Sequence, residues 1–139
     1  MTLATSALTA TATTSPFATA PQSGVELIKA GPIITMSWSA ISAANTSGQG
    51  ADTWTYTNLI PSSTPGAVNF RPATTQVGVI LVQNDQGPTN AFAGTCQVDT
   101  NGTVTFTPST TSTPGASGQW GRAGNISSIF GFTMAWKSQ

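Results

Sequence analysis

From Asn125 to Lys137 the chain reads N-I-S-S-I-F-G-F-T-M-A-W-K, and Phe130, Phe132, Met134 and Trp136 fall at every second position. An extended backbone puts all four on one face, which predicts a strand with a buried side. Opposite them stand Ile129, Gly131, Thr133 and Ala135, small or β-branched residues that suit a second, tightly packed face. A helix would scatter the same side chains around its circumference, and Gly131 would weaken it. The period of two recurs upstream. Val25 to Ala30 predicts a first strand, interrupted by Gly31-Pro32, and Ile34, Met36 and Trp38 then alternate with Thr35 and Ser37. Residues 40 to 51, rich in Ser, Asn and Gly, predict a loop. Thr53 to Ile60 predicts a strand with Trp54 and Tyr56 on one face, and Val68 with Phe70 a short one closed by Pro72. Gln76 to Gln83 is the most apolar internal run. Val77, Val79 and Leu81 face one way and Ile80 and Val82 the other, which predicts a central strand covered on both sides.

Between Thr95 and Thr107 the pattern selects a register. A two-residue loop at Asn101-Gly102 would set Val98 opposite Thr105 and divide the apolar residues between faces. A three-residue loop of Thr100, Asn101 and Gly102, with Gly102 left-handed in a bulge, pairs Val98 with Val104 and Cys96 with Phe106, and one face becomes wholly apolar. The second register is expected. About eight short strands, turn signals at close spacing and no convincing helix predict an all-β fold. The economical form is an antiparallel β-sandwich of jelly-roll type with an extended N-terminal arm; a closed barrel is the alternative. The expected core contains Trp38, Val79, Leu81, Val98, Val104, Phe106, Phe130, Phe132, Met134 and Trp136.

The arm is residues 1 to 23, almost wholly Thr, Ala and Ser, and the sandwich domain is expected over residues 24 to 139. Such a segment buries too little surface to order itself, so its apolar residues Leu3, Leu8 and Phe17 are the candidate anchors onto a neighbouring subunit. On that expectation, removing residues 1 to 23 abolishes attachment and leaves the domain folded.

Composition changes the functional picture. Lys29, Arg71, Arg122 and Lys137 are the basic residues and Glu26, Asp52, Asp85 and Asp99 the acidic ones, 6% of the chain, against roughly a quarter in ordinary globular proteins. With so little charge of either sign, a free monomer has little repulsion to keep it dispersed, which suits a subunit of an assembly. Four scattered cations form no phosphate-neutralising stripe, so no nucleic acid partner is expected. No polybasic run, amphipathic helix or apolar run of about 20 residues points to a membrane. The first residues lack the basic and continuously apolar regions of a signal peptide.

The same composition narrows the chemistry. The chain has no histidine and one cysteine, which excludes a Ser-His-Asp triad, imidazole ligation and thiolate zinc sites. Cys96, in an alternating run, is expected to be a buried thiol. Asp85 and Asp99 lie beside turns, where aspartate serves the backbone, and they carry no catalytic expectation. No cofactor, metal or catalytic residue is expected. Trp120, in the Gly-rich segment Gln119 to Gly124, is the candidate for stacking on a ligand, with Arg122 beside it as a planar donor to a partner.

The hairpin Q-V-D-T-N-G-T-V-T-F at residues 97 to 106, followed by a terminal aromatic strand, resembles accessory virion proteins of tailed bacteriophages, whose head-decoration and fibre-tip domains are often jelly rolls. The Thr/Ala/Ser-rich arm and the scarcity of charge are similar too. The resemblance implies a non-enzymatic capsid decoration (cement) protein, a dimer or trimer on the outside of the virion, made in the host cytoplasm. Its partners would be the major capsid protein or other virion subunits, bound through the arm. A head-fibre or tail-fibre tip that recognises a host glycan through Trp120 is the alternative it implies.

Overall fold

A computed structural model describes residues 3–13, 21–44, 54–62, 68–84, 91–108 and 126–139. Every regular element among them is a strand: β1 (Leu3–Thr11), β2 (Gln22–Ala30), β3 (Ile33–Trp38), β4 (Ile41–Ala44), β5 (Trp54–Tyr56), β6 (Gln76–Asn84), β7 (Ala91–Val98), β8 (Val104–Pro108), β9 (Ile126–Ile129) and β10 (Phe132–Lys137). They form a four-stranded sheet ordered β1-β2-β3-β10 and a six-stranded sheet ordered β4-β9-β6-β7-β8-β5. Each pairing is antiparallel. The fold is thus all-β and antiparallel, with two sheets enclosing one core as in a sandwich.

The sheets share a corner. β3 leaves the first sheet at Ser39-Ala40 and continues as β4 in the second, while β9 leaves the second at Phe130-Gly131 and continues as β10 in the first. The pairing register is the same on both sides, Ile41 opposite Ile129 and Trp38 opposite Phe132. The inward residues nevertheless change from odd to even numbers, since Ile129 and Ile41 are buried in one half and Trp136, Ile34, Met36 and Trp38 in the other. The two-stranded ribbon therefore turns over at the corner. Gly131 lies there close to its neighbour strand: a Cβ on it would stand 3.2 Å from the Trp38 carbonyl oxygen.

This corner corrects the expectation of one continuous final strand. Ile129 takes the inward place, so Phe130 is left exposed, while Phe132 and Met134 are half-buried against the core and Trp136 is buried. Residues 41 to 44, expected in a loop, form β4, and Val68 with Phe70 form no strand; Phe70 bonds instead through its N–H to the Pro61 carbonyl. The hairpin follows the expected register, Val98 opposite Val104 and Cys96 opposite Phe106. Gly102 has φ of 86°, and it is enclosed as well, since a Cβ there would collide with the backbone of Ile60.

At the centre Phe106 meets the edges or faces of four rings, with centroids 5.0 Å from Trp38, 5.8 Å from Trp54, 5.9 Å from Tyr56 and 5.8 Å from Phe132. These near-perpendicular contacts are the favourable arrangement of ring quadrupoles. Trp54 donates to the Tyr56 hydroxyl at 2.9 Å, which keeps two polar atoms satisfied in the core. Trp38 Nε1 has no hydrogen-bond partner, a cost of about 1–3 kcal/mol set against its packing on three rings.

The N-terminal segment is extended, as expected, but its partner is in the same chain. β1 pairs with β2 along nine positions, from Leu3 opposite Ala30 to Thr11 opposite Gln22. Ala10 and Ala12 are buried, and the Thr13 N–H reaches the Thr55 carbonyl at the far edge of the second sheet. A boundary at Gly24 falls inside β2. Removing residues 1 to 23 would therefore take away an edge strand and the start of its neighbour, which corrects the expectation that such a truncation leaves the domain intact.

Candidate interaction surface

The charged side chains among the described residues are dispersed, and three of them, Lys29, Arg71 and Asp99, hold structure. Lys29 Nζ donates to the Asn69 carbonyl at 3.1 Å, and Arg71 Nε to the Ile60 carbonyl at 2.9 Å, which fixes the loop that encloses Gly102. Asp99 accepts from Thr75 and Gln97 beside the hairpin turn. No group of three or more potential metal ligands occurs among the described residues. Cys96 is fully buried, and loss of solvent pushes its thiol up to about 12, so it is neither a nucleophile nor a ligand at neutral pH. Burial likewise raises the Tyr56 phenol, partly offset by the Trp54 hydrogen bond. A depression of about 300 Å³ opens between β1, β2 and β3 beside Ala7, Leu8, Gly24 and Ser37, and Glu26 is the one ionisable group among the described residues that line it. Among the described residues no second ionisable group stands beside that carboxylate to share acid–base work.

What the molecule does present is apolar surface on the outside of the six-stranded sheet. Val77 is 63% exposed, Val79 80% and Leu81 46%. All three point outward from β6 because Ile80 and Val82 point into the core. Phe130, 41% exposed, donates its N–H to the Leu81 carbonyl at 3.1 Å. It stands opposite Leu81 by the register that pairs Ile129 with Val82. The strip is flanked by Ala93, Thr95 and Gln97 on β7, opposite Leu81, Val79 and Val77 respectively, and beyond them by Thr105 and Thr107 on β8. Ser42 and Ser128 exchange a hydroxyl hydrogen bond of 2.9 Å on the other flank.

This surface corrects three expectations of burial, at Val79, Leu81 and Phe130, and adds Val77. Val79 and Leu81, expected in the core, are exposed with Val77, as Phe130 is. The sequence signal was present in the run Val77–Val82, apolar on both faces, but such a run does not say which face its own chain covers. Trp38, Val98, Val104, Phe106 and Trp136 are buried.

A second feature is the outer edge of β1, which pairs with no other strand among the described residues. The strand is outermost in its sheet, and its sequence L-A-T-S-A-L-T-A-T contains no charge and no proline. Leu3 is 62% exposed at its start. Leu8, expected to anchor on a neighbour, packs against its own core. Phe17, Trp120, Arg122 and Asp85 lie outside the described residues. Trp54 and Tyr56 are buried, so they offer no stacking surface. A scan against protein-family models finds no match for the chain, and no curated protein compared with it matches.

Proposed function

We propose that this chain is a non-enzymatic structural protein of a virion, a cement subunit of jelly-roll type seated on the outer surface of the capsid shell. The observation that carries the reading is the outer edge of β1, which no described strand pairs and which is nine residues long, uncharged and without proline. Natural proteins protect such edges with lysine, proline or bulges unless another strand completes them. Here the capsid protein supplies that strand, and main-chain hydrogen bonds carry the attachment. The dispersal of the described charged groups, with Lys29, Arg71 and Asp99 engaged in structural hydrogen bonds, supports a role without chemistry. The near absence of charge suits a subunit that spends its life in an assembly.

Quantitative mass spectrometry of purified particles tests the reading. Copies in the hundreds, in a simple ratio to the major capsid protein, are expected; a few to a few tens would make it a vertex or fibre component, and absence would overturn it. The edge is tested by Thr5→Lys with Thr9→Lys. Both residues are exposed on β1, so the variant is expected to fold and to lose at least about tenfold in particle occupancy, as charged edges resist strand addition. Unchanged occupancy would remove β1 from the attachment.

A further inference from the structure

We infer that the outer face of the six-stranded sheet is an isologous interface with a second copy of this chain, formed by Val77, Val79, Leu81 and Phe130. This goes beyond the virion reading and does not depend on it. Four of the seven large apolar side chains exposed among the described residues lie on this one face, whereas single exposed apolar residues are ordinary. Contiguity is what marks a contact surface.

The occupant follows from charge, symmetry and area. Outward residues described on this face are Val, Leu, Phe, Ala, Thr, Ser and Gln; Asp99, just past the end of β7, is tied to Thr75 and Gln97. A partner that relies on charged groups finds no complement here. A two-fold axis, by contrast, sets a surface against itself, and an uncharged face meets its own copy without repulsion. With the axis at Val79, antiparallel β6 strands place Val79 on its counterpart and Val77 of one copy on Leu81 of the other, a pairing of smaller with larger side chain at both ends. Two sheets stack face to face at about 10 Å in this way. The threonines of β7 and β8 then form the polar rim. The strands of this sheet span a planar footprint of about 500 Å² at roughly 3.3 Å per residue and 4.8 Å per strand. A standard interface buries about 800 Å² per partner, so the contact stands at the small end of specific interfaces and a weak dimer is expected.

Sedimentation of the purified full chain tests this over about 1 to about 500 µM, a range that brackets the affinity of so small an interface. The expected mass rises from the 14.1 kDa of one chain to twice that. Val79→Lys is expected to remain monomeric throughout and, at the low concentration where the wild type is also monomeric, to keep its thermal midpoint, because Val79 is 80% exposed; Thr9→Lys, on the other sheet, is expected to dimerise as the wild type does. Val79→Cys supplies a positive signal: a short bismaleimide should join it into a covalent dimer, while the wild type, whose Cys96 is buried, stays single. A wild type that remains monomeric, a larger oligomer, or a Val79→Lys chain that associates normally would each overturn the inference. So would a Val79→Lys chain with a lowered melting point at the low concentration where the wild type is monomeric, since that face would then be covered by its own chain.

Discussion

Individual side chains divide sharply into those that stabilise the core and those that stay outside it. Phe106 is the ring on which Trp38, Trp54, Tyr56 and Phe132 converge. Phe106→Ala should lower the unfolding free energy by about 3–5 kcal/mol, through lost transfer energy and an unfilled cavity, measured by urea denaturation. Cys96 gives a prediction with a sign. Its thiol rises from an ordinary value of 9.0 to about 12 in the folded chain. Below pH 9 the thiol is protonated in both states and its contribution to stability is full. As pH rises from 9 towards 12, the unfolded thiol ionises first, the unfolded state gains, and stability falls by up to about 1.4 kcal/mol per pH unit. Tyr56, also raised by burial, adds a loss of the same sign at higher pH. Cys96→Ala should therefore flatten the onset of alkaline destabilisation. A thiol reagent at pH 8 should label the wild type only after denaturation. The exposed valines behave oppositely: nothing in Val79 itself distinguishes a residue facing the core from one facing a partner.

At the scale of elements, the hairpin of β7 and β8 was legible because its two registers differ in a countable way. One puts all the apolar residues on a single face and the other does not, so residue chemistry alone selects Val98 opposite Val104. Gly102→Ala tests the turn that this register requires. With φ of 86° and the Ile60 backbone in the way, the change should destabilise by more than the ~1 kcal/mol of an unhindered left-handed glycine, read as a lower urea midpoint at constant slope. β1 was half legible. Its alternation of Ala and Leu with Thr permits an extended strand, but the partner strand is named by neither sequence. Because β2 takes that place along nine positions and Ala10 and Ala12 are buried, removal of residues 1 to 12 should cost about 2–4 kcal/mol of stability, from lost burial and backbone pairing net of ordering entropy. Circular dichroism melts of the truncated chain measure it. An unchanged melt would restore the picture of an independent arm.

For the whole molecule, sparse charge sets the response to solvent. Association through the outer sheet face should be insensitive to sodium chloride, since the described residues of that face carry no charge to screen, and should strengthen in sulfate, which favours apolar burial. Weakening by sodium chloride in sedimentation would point instead to charged contacts. The same scale separates what the chain encodes locally from what it does not. By itself, the sequence determined the all-β class, most strand positions, the hairpin register, the buried thiol and the lack of histidine or thiolate chemistry, because each depends on residue type or on a period of two along a few residues. Only the tertiary structure decided that the final strand divides at Gly131 between two sheets, that β1 belongs to the first sheet, and that Val77, Val79, Leu81 and Phe130 lie outside. Alternation states that a strand has two faces. Which face meets the core depends on where the other sheet lies, and that is fixed by contacts between residues far apart in the chain.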